Sequence, residues 1–215
     1  MKPLAECLLY GILDLAYADE ATLPRIAREM ADGGVDIVQL RAKEHAPDAI
    51  LRMARRLGPP LAERAIPFIL NDHPQLVAEA AADGCHVGQD DQSVAAARAA
   101  NSAPMLVGKS THSVAQALAG ADEAADYLGF GPLFATPTKP DYQPIGTGDI
   151  RSVHQQLDLP VFCIGGVKRE NVDGLLAAGA MRVVIVSGIL QAADIAGYCR
   201  DVKDQLVANF ALSLT

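Results

Sequence analysis

Tryptophan is absent from this chain, and aromatic residues of all kinds make up only 5% of its 215 positions. Ala, Leu, Val and Ile must therefore fill the interior, as they do in layered α/β proteins. Half of the residues are apolar, which is enough for a sizeable core. Glycine and proline, at 18 and 13 residues, are close to ordinary usage, so a fibrous or disordered chain is excluded.

Closely spaced cysteines are missing as well. The four cysteines lie far apart, at positions 7, 85, 163 and 199, and none forms a C-x-x-C pair. A zinc or dithiol redox motif is therefore excluded. Because free cysteine is among the most buried residue types, we expect four buried structural thiols.

Positive charge is scarce, since the formal net charge is −8 and the isoelectric point is about 5.0. Nucleic-acid binding needs patches of Lys and Arg, so that class of partner is not expected, whereas small anionic ligands need only a few local cations. No apolar run reaches the ~18 residues of a membrane span. Residues 1–6 do not lead into the longer apolar core of a signal peptide. We expect a cytoplasmic protein without a membrane partner, and homo-oligomer formation stays open.

Apolar runs of strand length recur eight times along the chain. Most are continuous rather than alternating, which is typical of strands buried on both faces of a parallel sheet. The predicted strands are residues 7–13, 35–40, 67–70, 85–88, 105–108, 127–130, 161–164 and 183–186. Amphipathic helical stretches lie between most of them, at residues 22–30, 50–61, 76–82, 94–100, 114–119, 172–178 and 195–212.

Eight strand-then-helix units predict a single α/β domain over residues 1–215, a closed (β/α)8 barrel. An open doubly wound sheet is the alternative, but it usually has about five or six strands and a Gly-rich turn after the first. Here the first strand is followed by Asp14 and Leu15. In a (β/α)8 barrel the ligand site lies at the carboxyl ends of the strands, so polar residues directly after each apolar run are candidates.

The ends of strands two, three and four carry the first candidate group. Gln39, Arg41 and Lys43 share one face of strand two, where two cations are costly unless an anion meets them; a solvated strand end is the alternative. Asp72 follows strand three and Asp91 follows strand four. Two carboxylates on adjacent strand ends, together with phosphate oxygens and water, suit Mg²⁺, although helix caps or turns explain such residues too.

The ends of strands five and six carry hydroxyl groups and a cation. Ser110 follows strand five and fits either a phosphate or a helix cap, and His112 is either a general base or a structural hydrogen bonder. The loop after strand six is longer than the others and carries Thr136, Thr138 and Lys139. Long structured loops in compact domains are often functional lids.

Glycines follow the last two strands, at Gly165, Gly166 and Gly188. Glycine lets the backbone approach a ligand closely, and the ends of strands seven and eight are the recurrent phosphate site of barrels, with ordinary turns as the alternative. A phosphate cup at this position and a second, cationic anion site suit two phosphorylated ligands or one diphosphorylated ligand. The residue types favour electrostatic and metal-assisted departure of a phosphate-bearing leaving group.

At these residues the sequence resembles the thiamine phosphate synthase family, from about residue 8 to residue 189. The most specific motifs are the Gly-Pro-x-x-x-Thr-x-Thr-Lys loop at residues 131–139 and the Gly-Gln-x-Asp turn at residues 88–91. The resemblance implies condensation of 4-amino-2-methyl-5-hydroxymethylpyrimidine pyrophosphate with thiazole phosphate, giving thiamine phosphate and pyrophosphate. It also implies a dissociative mechanism, in which pyrophosphate leaves and the thiazole nitrogen captures a methylene cation.

The resemblance assigns a role to each matching position. Gln39 would contact the pyrimidine, while Asp72 and Asp91 would bind the Mg²⁺ that bridges to the pyrophosphate. The residues that would hold the pyrophosphate are Arg41, Lys43, Asn71, Ser110 and Lys139. Stabilisation of the departing oxygens would make four of these catalytic, namely Arg41, Lys43, Ser110 and Lys139. The thiazole phosphate would be bound by Thr136, Thr138, Gly166 and the backbone at Val186 and Ser187.

The chain departs from the family pattern at four positions. Ala42 stands where an acid is common, His73 where an arginine is common, and Lys109 where an apolar residue is common. Lys109 adds a cation beside the strand-five site or points into the helix layer. The first strand ends in Leu13 and Asp14 instead of a Thr-Asp pair.

Alternative functions share the same barrel. A thiazole tautomerase would rely on a histidine placed like His112 but tends to lack the acids and the loop lysine, which are present here as Asp72, Asp91 and Lys139. A non-catalytic barrel that binds a phospholigand would not need the metal acids. Sugar-phosphate epimerases and isomerases would not need the Thr-x-Thr-Lys loop. The residues therefore favour the synthase.

Overall fold

The computed structural model describes residues 1–136 and 143–213 and shows a closed barrel of eight parallel strands. Each strand pairs with the next along the chain, and the first pairs with the last, which closes the barrel. The strands are β1 (Leu9–Asp14), β2 (Ile37–Arg41), β3 (Phe68–Asn71), β4 (Gly84–Val87), β5 (Leu106–Thr111), β6 (Tyr127–Phe130), β7 (Val161–Cys163) and β8 (Val183–Ile185). The predicted barrel is confirmed, and the alternative of an open sheet is wrong.

Helices surround the barrel on its outer side. They are α1 (Leu23–Asp32), α2 (Pro47–Ala62), α3 (Val77–Ala80), α4 (Val94–Ala99), α5 (Val114–Asp122), α6 (Ile150–Gln156), α7 (Val172–Ala177), α8 (Ser187–Leu190) and α9 (Ile195–Ser213). The sequence pattern did not predict α6, which buries only Ile150 and Val153, nor α8, which is a single turn. Within the described part of the chain, no helix combines the length and apolar character needed to cross a membrane.

The core has two layers, one inside the barrel and one between the strands and the helices. Three aromatic residues, Tyr10, Tyr127 and Phe162, meet edge to face in the inner layer. Their ring centroids lie 5.5 to 5.9 Å apart. Such edge-to-face packing fills the barrel interior with few side chains and leaves the phenol hydroxyl groups near the barrel axis.

The cysteine thiols are free and buried, as expected. Burial raises the pKa of each thiol to about 12. A thiol, unlike a thiolate, is a poor nucleophile and metal ligand, so the four cysteines serve packing.

Gly108 of β5 makes room for the aromatic layer. A Cβ atom at this position would lie 2.1 Å from Tyr127 Cζ and 2.5 Å from His86 Nδ1. We expect Gly108→Ala to destabilise the protein by about 1–3 kcal/mol, because both rings would have to shift in a closely packed barrel. Urea unfolding followed by circular dichroism measures this change.

Gly174 in α7 provides the matched control, because a Cβ atom there would meet no atom within 4 Å. Gly174→Ala should stabilise the protein by about 0.5–1 kcal/mol, the usual gain for alanine inside a helix. Equal stability of the two alanine variants would contradict the steric argument.

Candidate active site

A pocket opens at the carboxyl ends of the strands, and all eight strands contribute residues to its lining. Eight predicted site residues line it: Gln39, Arg41, Asn71, Ser110, Thr136, Gly166, Val186 and Ser187. Three more predicted residues, Lys43, Asp72 and Asp91, lie beside one another at the same barrel end. Thr138 and Lys139 lie outside the described residues.

Arg41 is paired with an acid that the sequence pattern did not connect to it. Arg41 Nη1 donates to Asp14 Oδ2 at 2.8 Å, across the β1–β2 pair in which these two residues are register partners. Asp14 is buried and also accepts a hydrogen bond from the Ala16 N–H. The carboxylate fixes the guanidinium plane, so the remaining N–H groups of Arg41 can meet a ligand in a defined geometry.

Asp72 and Asp91 form a pair of interacting carboxyl groups. Burial, the charge of Asp91 and a hydrogen bond with it raise the pKa of Asp72 to about 6, while Lys43 and Asn71 act in the opposite direction. Asp91 Oδ2 also accepts a hydrogen bond from the Gly88 N–H at 2.7 Å, which fixes its orientation. Repulsion between two nearby carboxylates is relieved by a proton or by a cation.

The donor set at this pair fits magnesium. Among residues 1–136 and 143–213 no group of three or more His, Cys, Asp or Glu side chains could hold a metal. The protein therefore offers two carboxylates there, and the remaining ligands would come from water and phosphate oxygens. This is how Mg²⁺ is usually bound beside phosphate substrates.

A chain of hydrogen bonds crosses the floor of the pocket. Gln39 Nε2 donates to Tyr10 Oη at 2.6 Å, and Tyr10 Oη lies 3.0 Å from Tyr127 Oη. Tyr127 Oη lies 3.2 Å from His86 Nδ1, and His86 Nε2 lies 2.9 Å from Ser110 Oγ. We call these five residues the interior hydrogen-bond chain.

Sequence reasoning missed the middle three members, Tyr10, Tyr127 and His86, because each lies within an apolar strand. One signal was available: a tyrosine in a run of aliphatic residues carries a hydroxyl group that needs a partner when it is buried.

The predicted phosphate cup has the backbone geometry that glycine allows. Gly165 and Gly166 both have positive φ, at 94° and 66°. A Cβ atom on Gly165 would lie 2.4 Å from Pro132 Cα, and one on Gly166 would lie 2.6 Å from Phe134 Cβ. The loop after β6 therefore packs directly on the glycines and brings Thr136 to the pocket next to them.

The amino-acid sequence of the chain matches a known family model. The model described as thiamine monophosphate synthase matches residues 9–189. This chain belongs to that family. The resemblance inferred from the strand-end motifs is thereby confirmed.

Individual relatives match over nearly their whole length. The thiamine-phosphate synthase of Shouchella clausii is 38% identical over 196 residues, covering 91% of this chain and 92% of that protein. The thiamine-phosphate synthase of Thermus thermophilus is 40% identical over 188 residues, covering 87% of this chain and 90% of that protein. The family relationship is therefore spread over the whole barrel.

Solved structures agree with the fold. The thiamine phosphate pyrophosphorylase from Pyrococcus furiosus superimposes with a TM-score of 0.86 at 25% identity, covering 94% of this chain and 96% of that one. The 3-hexulose-6-phosphate synthase from Salmonella typhimurium gives a TM-score of 0.69 at 18% identity over 94% of this chain and 99% of that one, a likeness of fold alone.

Among the departures from the family pattern, the structure explains Lys109. Lys109 points away from the pocket and forms an ion pair with Glu123 at 3.0 Å, beside the end of α5. Ala42 is buried, and burial lowers the pKa of His73. His112 lines the pocket with its Nδ1 hydrogen-bonded to the Gly131 carbonyl group, so it anchors the start of the loop after β6.

Proposed function

We propose that this chain is a thiamine-phosphate synthase that joins the pyrimidine pyrophosphate and the thiazole phosphate named above and releases pyrophosphate. The observation that carries the proposal is that one pocket is lined by residues from both predicted anion sites. Arg41, Asn71 and Ser110 lie on one side of it, and Gly166 and Ser187 lie on the other. Two phosphorylated substrates bound at these sites would meet over the pocket floor.

The composition of the pocket supports a division of roles. Gln39 and the aromatic floor suit the flat pyrimidine ring, and the N–H and O–H donors beyond it suit the pyrophosphate. The glycine cup and Thr136 suit the thiazole phosphate. Thr138 and Lys139 complete the two anion sites in this proposal.

The proposed reaction balances without an acid or base on the protein. The bond between the pyrimidine methylene carbon and the pyrophosphate oxygen breaks, and both electrons leave with the oxygen. The thiazole nitrogen then donates its lone pair to the methylene carbon and becomes the thiazolium nitrogen. Arg41, Lys43, Ser110 and Lys139 would stabilise the charge that develops on the departing oxygens.

We further propose that Asp72 and Asp91 hold one Mg²⁺ ion. Bound there, the ion would neutralise charge on the pyrophosphate oxygens. The support is the carboxyl pair itself, in which burial and the neighbouring Asp91 raise the pKa of Asp72 to about 6.

We also place the enzyme in the cytoplasm, because four free buried thiols suit a reducing compartment.

The test is a direct assay of purified protein with both substrates and MgCl₂, in which pyrophosphate and thiamine phosphate are measured together. We expect equal amounts of the two products, and loss of both when either substrate is omitted or when EDTA is added. A folded protein that makes no thiamine phosphate would overturn the proposal. Tautomerisation of the thiazole would then be assayed next.

Ser110→Ala tests the pyrophosphate side of the pocket. We expect kcat/KM to fall by about 10- to 100-fold, because one hydrogen bond to a charged oxygen is worth about 1.5–3 kcal/mol. Ser93→Ala is the control, since Ser93 Oγ accepts from the Ala96 N–H and caps α4 away from the pocket. The control should lose about 1 kcal/mol of stability and keep its activity, and equal activity in both variants would argue against a role for Ser110.

A further inference from the structure

The interior hydrogen-bond chain has one direction. An amide nitrogen can only donate, so Tyr10 Oη accepts from Gln39 Nε2. The distance between Tyr10 Oη and Tyr127 Oη allows either phenol to donate, but Tyr10 is buried, and its proton would lack an acceptor unless it is donated to Tyr127 Oη. Tyr127 must then donate to His86 Nδ1, which leaves the ring proton on His86 Nε2. That proton is donated to Ser110 Oγ. Ser110 is left with a hydroxyl proton for the pocket, and Gln39 keeps its carbonyl oxygen Oε1 as an acceptor beside its second amide N–H.

The chain is built into the barrel. Its middle members come from β1, β6 and β4, which are far apart in sequence and meet only on the barrel axis. Gly108 of β5 leaves space for the ring of Tyr127 and for His86. Burial raises the pKa of Tyr10 and Tyr127 well above that of free tyrosine, so both phenols keep the protons that the chain needs.

We propose that the interior hydrogen-bond chain sets the polarity of the two ends of the pyrimidine site, with an acceptor at Gln39 and a donor at Ser110. Tyr10, Tyr127 and His86 are then positioning residues, because they act on the ligand through these two ends. The inference rests on the proposed function for the identity of the ligand. The direction of the chain does not depend on it.

This polarity matches the charge that the proposed reaction develops. As pyrophosphate leaves, positive charge spreads from the methylene carbon to the amino group of the pyrimidine, which then donates more strongly to the Gln39 carbonyl oxygen. Negative charge grows on the leaving oxygens, which accept from the Ser110 hydroxyl group. Aligned hydrogen bonds polarise one another, and preorganised dipoles act more strongly on the transition state than on the ground state.

Nuclear magnetic resonance tests the direction without substrate. Protein labelled with ¹⁵N-histidine gives a two-bond ¹H–¹⁵N spectrum that shows which ring nitrogen of each of the five histidines carries a proton. The His86 signals are assigned by their loss in His86→Asn, or by elimination from single variants of the other four histidines. We expect the Nε2–H tautomer for His86. A proton on Nδ1, or on both nitrogens, would overturn the proposal.

Tyr127→Phe removes the hydroxyl group in the middle of the chain and keeps the ring. We expect the His86 tautomer to become mixed and kcat to fall about tenfold with KM little changed, since about one hydrogen bond's worth of transition-state stabilisation is lost. Tyr198→Phe is the matched control. Tyr198 Oη accepts from the Arg169 N–H at 2.7 Å outside the barrel interior, and its loss should leave the His86 tautomer unchanged.

The outcomes separate this inference from the proposed function. An unchanged tautomer and an unchanged kcat in Tyr127→Phe would overturn the inference while the synthase assay still succeeds. The Nε2–H tautomer in a protein without synthase activity would overturn the substrate assignment and leave the direction of the chain established.

Discussion

Replacing Asp72 with Asn is expected to lower kcat/KM by about 10²- to 10³-fold, as removal of one preorganised charge-stabilising group usually does. The same change should make the metal-free protein more stable at neutral pH. The opposite signs follow from the role proposed for Asp72, a carboxylate held beside another carboxylate until a cation and the substrate arrive. Asn preserves the local backbone, because Asp72 has a φ of 60° and Asn also tolerates the left-handed region.

The stability gain should depend on pH in a defined direction. The pKa of Asp72 is raised to about 6 in the folded protein from its ordinary value of 3.8, so the folded state binds the proton more tightly than the unfolded chain. In the wild-type protein, the loss of folding stability caused by ionised Asp72 is thus absent below about pH 4 and complete above about pH 7. The shift sets an upper bound of about 3 kcal/mol, and we expect on the order of 1 kcal/mol because the carboxyl group is partly solvated.

Urea unfolding at pH 4 and pH 7.5 in EDTA measures the stability gain of Asp72→Asn. Steady-state kinetics in MgCl₂ measures its loss of kcat/KM. Asp90→Asn is the control, since it removes an exposed acid at the same strand end. Mg²⁺ should raise the melting temperature of the wild-type protein and of Asp90→Asn but not of Asp72→Asn. Full activity of Asp72→Asn would remove the basis for the magnesium site.

Replacing Asp36 with Ala is expected to destabilise the protein by about 3–5 kcal/mol, because it breaks a buried charge network. Asp36 lies at the opposite end of the barrel from the pocket, where it accepts from the Leu8 and Leu9 N–H groups at 2.8 and 3.0 Å. It also forms ion pairs with Lys2 and Lys203. The carboxylate thereby ties the start of β1 to α9.

Lowering the pH should remove the stability that this charge network contributes to the wild-type protein. Burial opposes ionisation of Asp36, but hydrogen bonds from the Leu9 N–H, Lys2, Lys203 and the Leu8 N–H outweigh it, so its pKa lies below the usual value. The stabilisation is therefore present above about pH 4 and is lost as the pH falls through the lower folded-state pKa.

Chemical denaturation of Asp36→Ala between pH 3 and pH 7.5 measures this contribution. Glu79→Ala is the control, because Glu79 pairs with Arg55 at 2.9 Å with both side chains exposed. Such exposed pairs contribute about 0–1 kcal/mol. A loss in Asp36→Ala no larger than in the control would show that the network does not hold the barrel end together.

The candidate site was predictable where function depends on a residue's place along its own strand. Gln39, Arg41 and Asn71 come at strand ends, and a parallel barrel brings all such ends to one mouth. The glycines at positions 165 and 166 were recognisable for the same reason, since the need for positive φ is local. Strand burial on both faces made the apolar runs continuous, so the strands themselves were visible.

The partners of these residues were not predictable. Asp14 was noted only as the residue that ends the first strand, yet it pairs with Arg41 because the β1–β2 register places the two side by side. The sequence left open whether Lys109 faces the strand-five site or the helix layer. Its ion pair with Glu123 shows that it faces the helix layer. The sequence pattern predicted Tyr10 and Tyr127 only as core residues. They lie 117 positions apart along the chain, yet their hydroxyl groups form a hydrogen bond inside the barrel.

The sequence by itself determined the closed barrel, the single mouth at which its strands end, and the family. These features depend on which residues are buried and on local backbone preference. Both can be recognised in the order of apolar, polar and glycine residues along the chain. Only the tertiary structure decided the Asp14–Arg41 pair and the interior hydrogen-bond chain. Each depends on how different strands are aligned with one another in the barrel, and the residues of any one strand do not reveal that alignment.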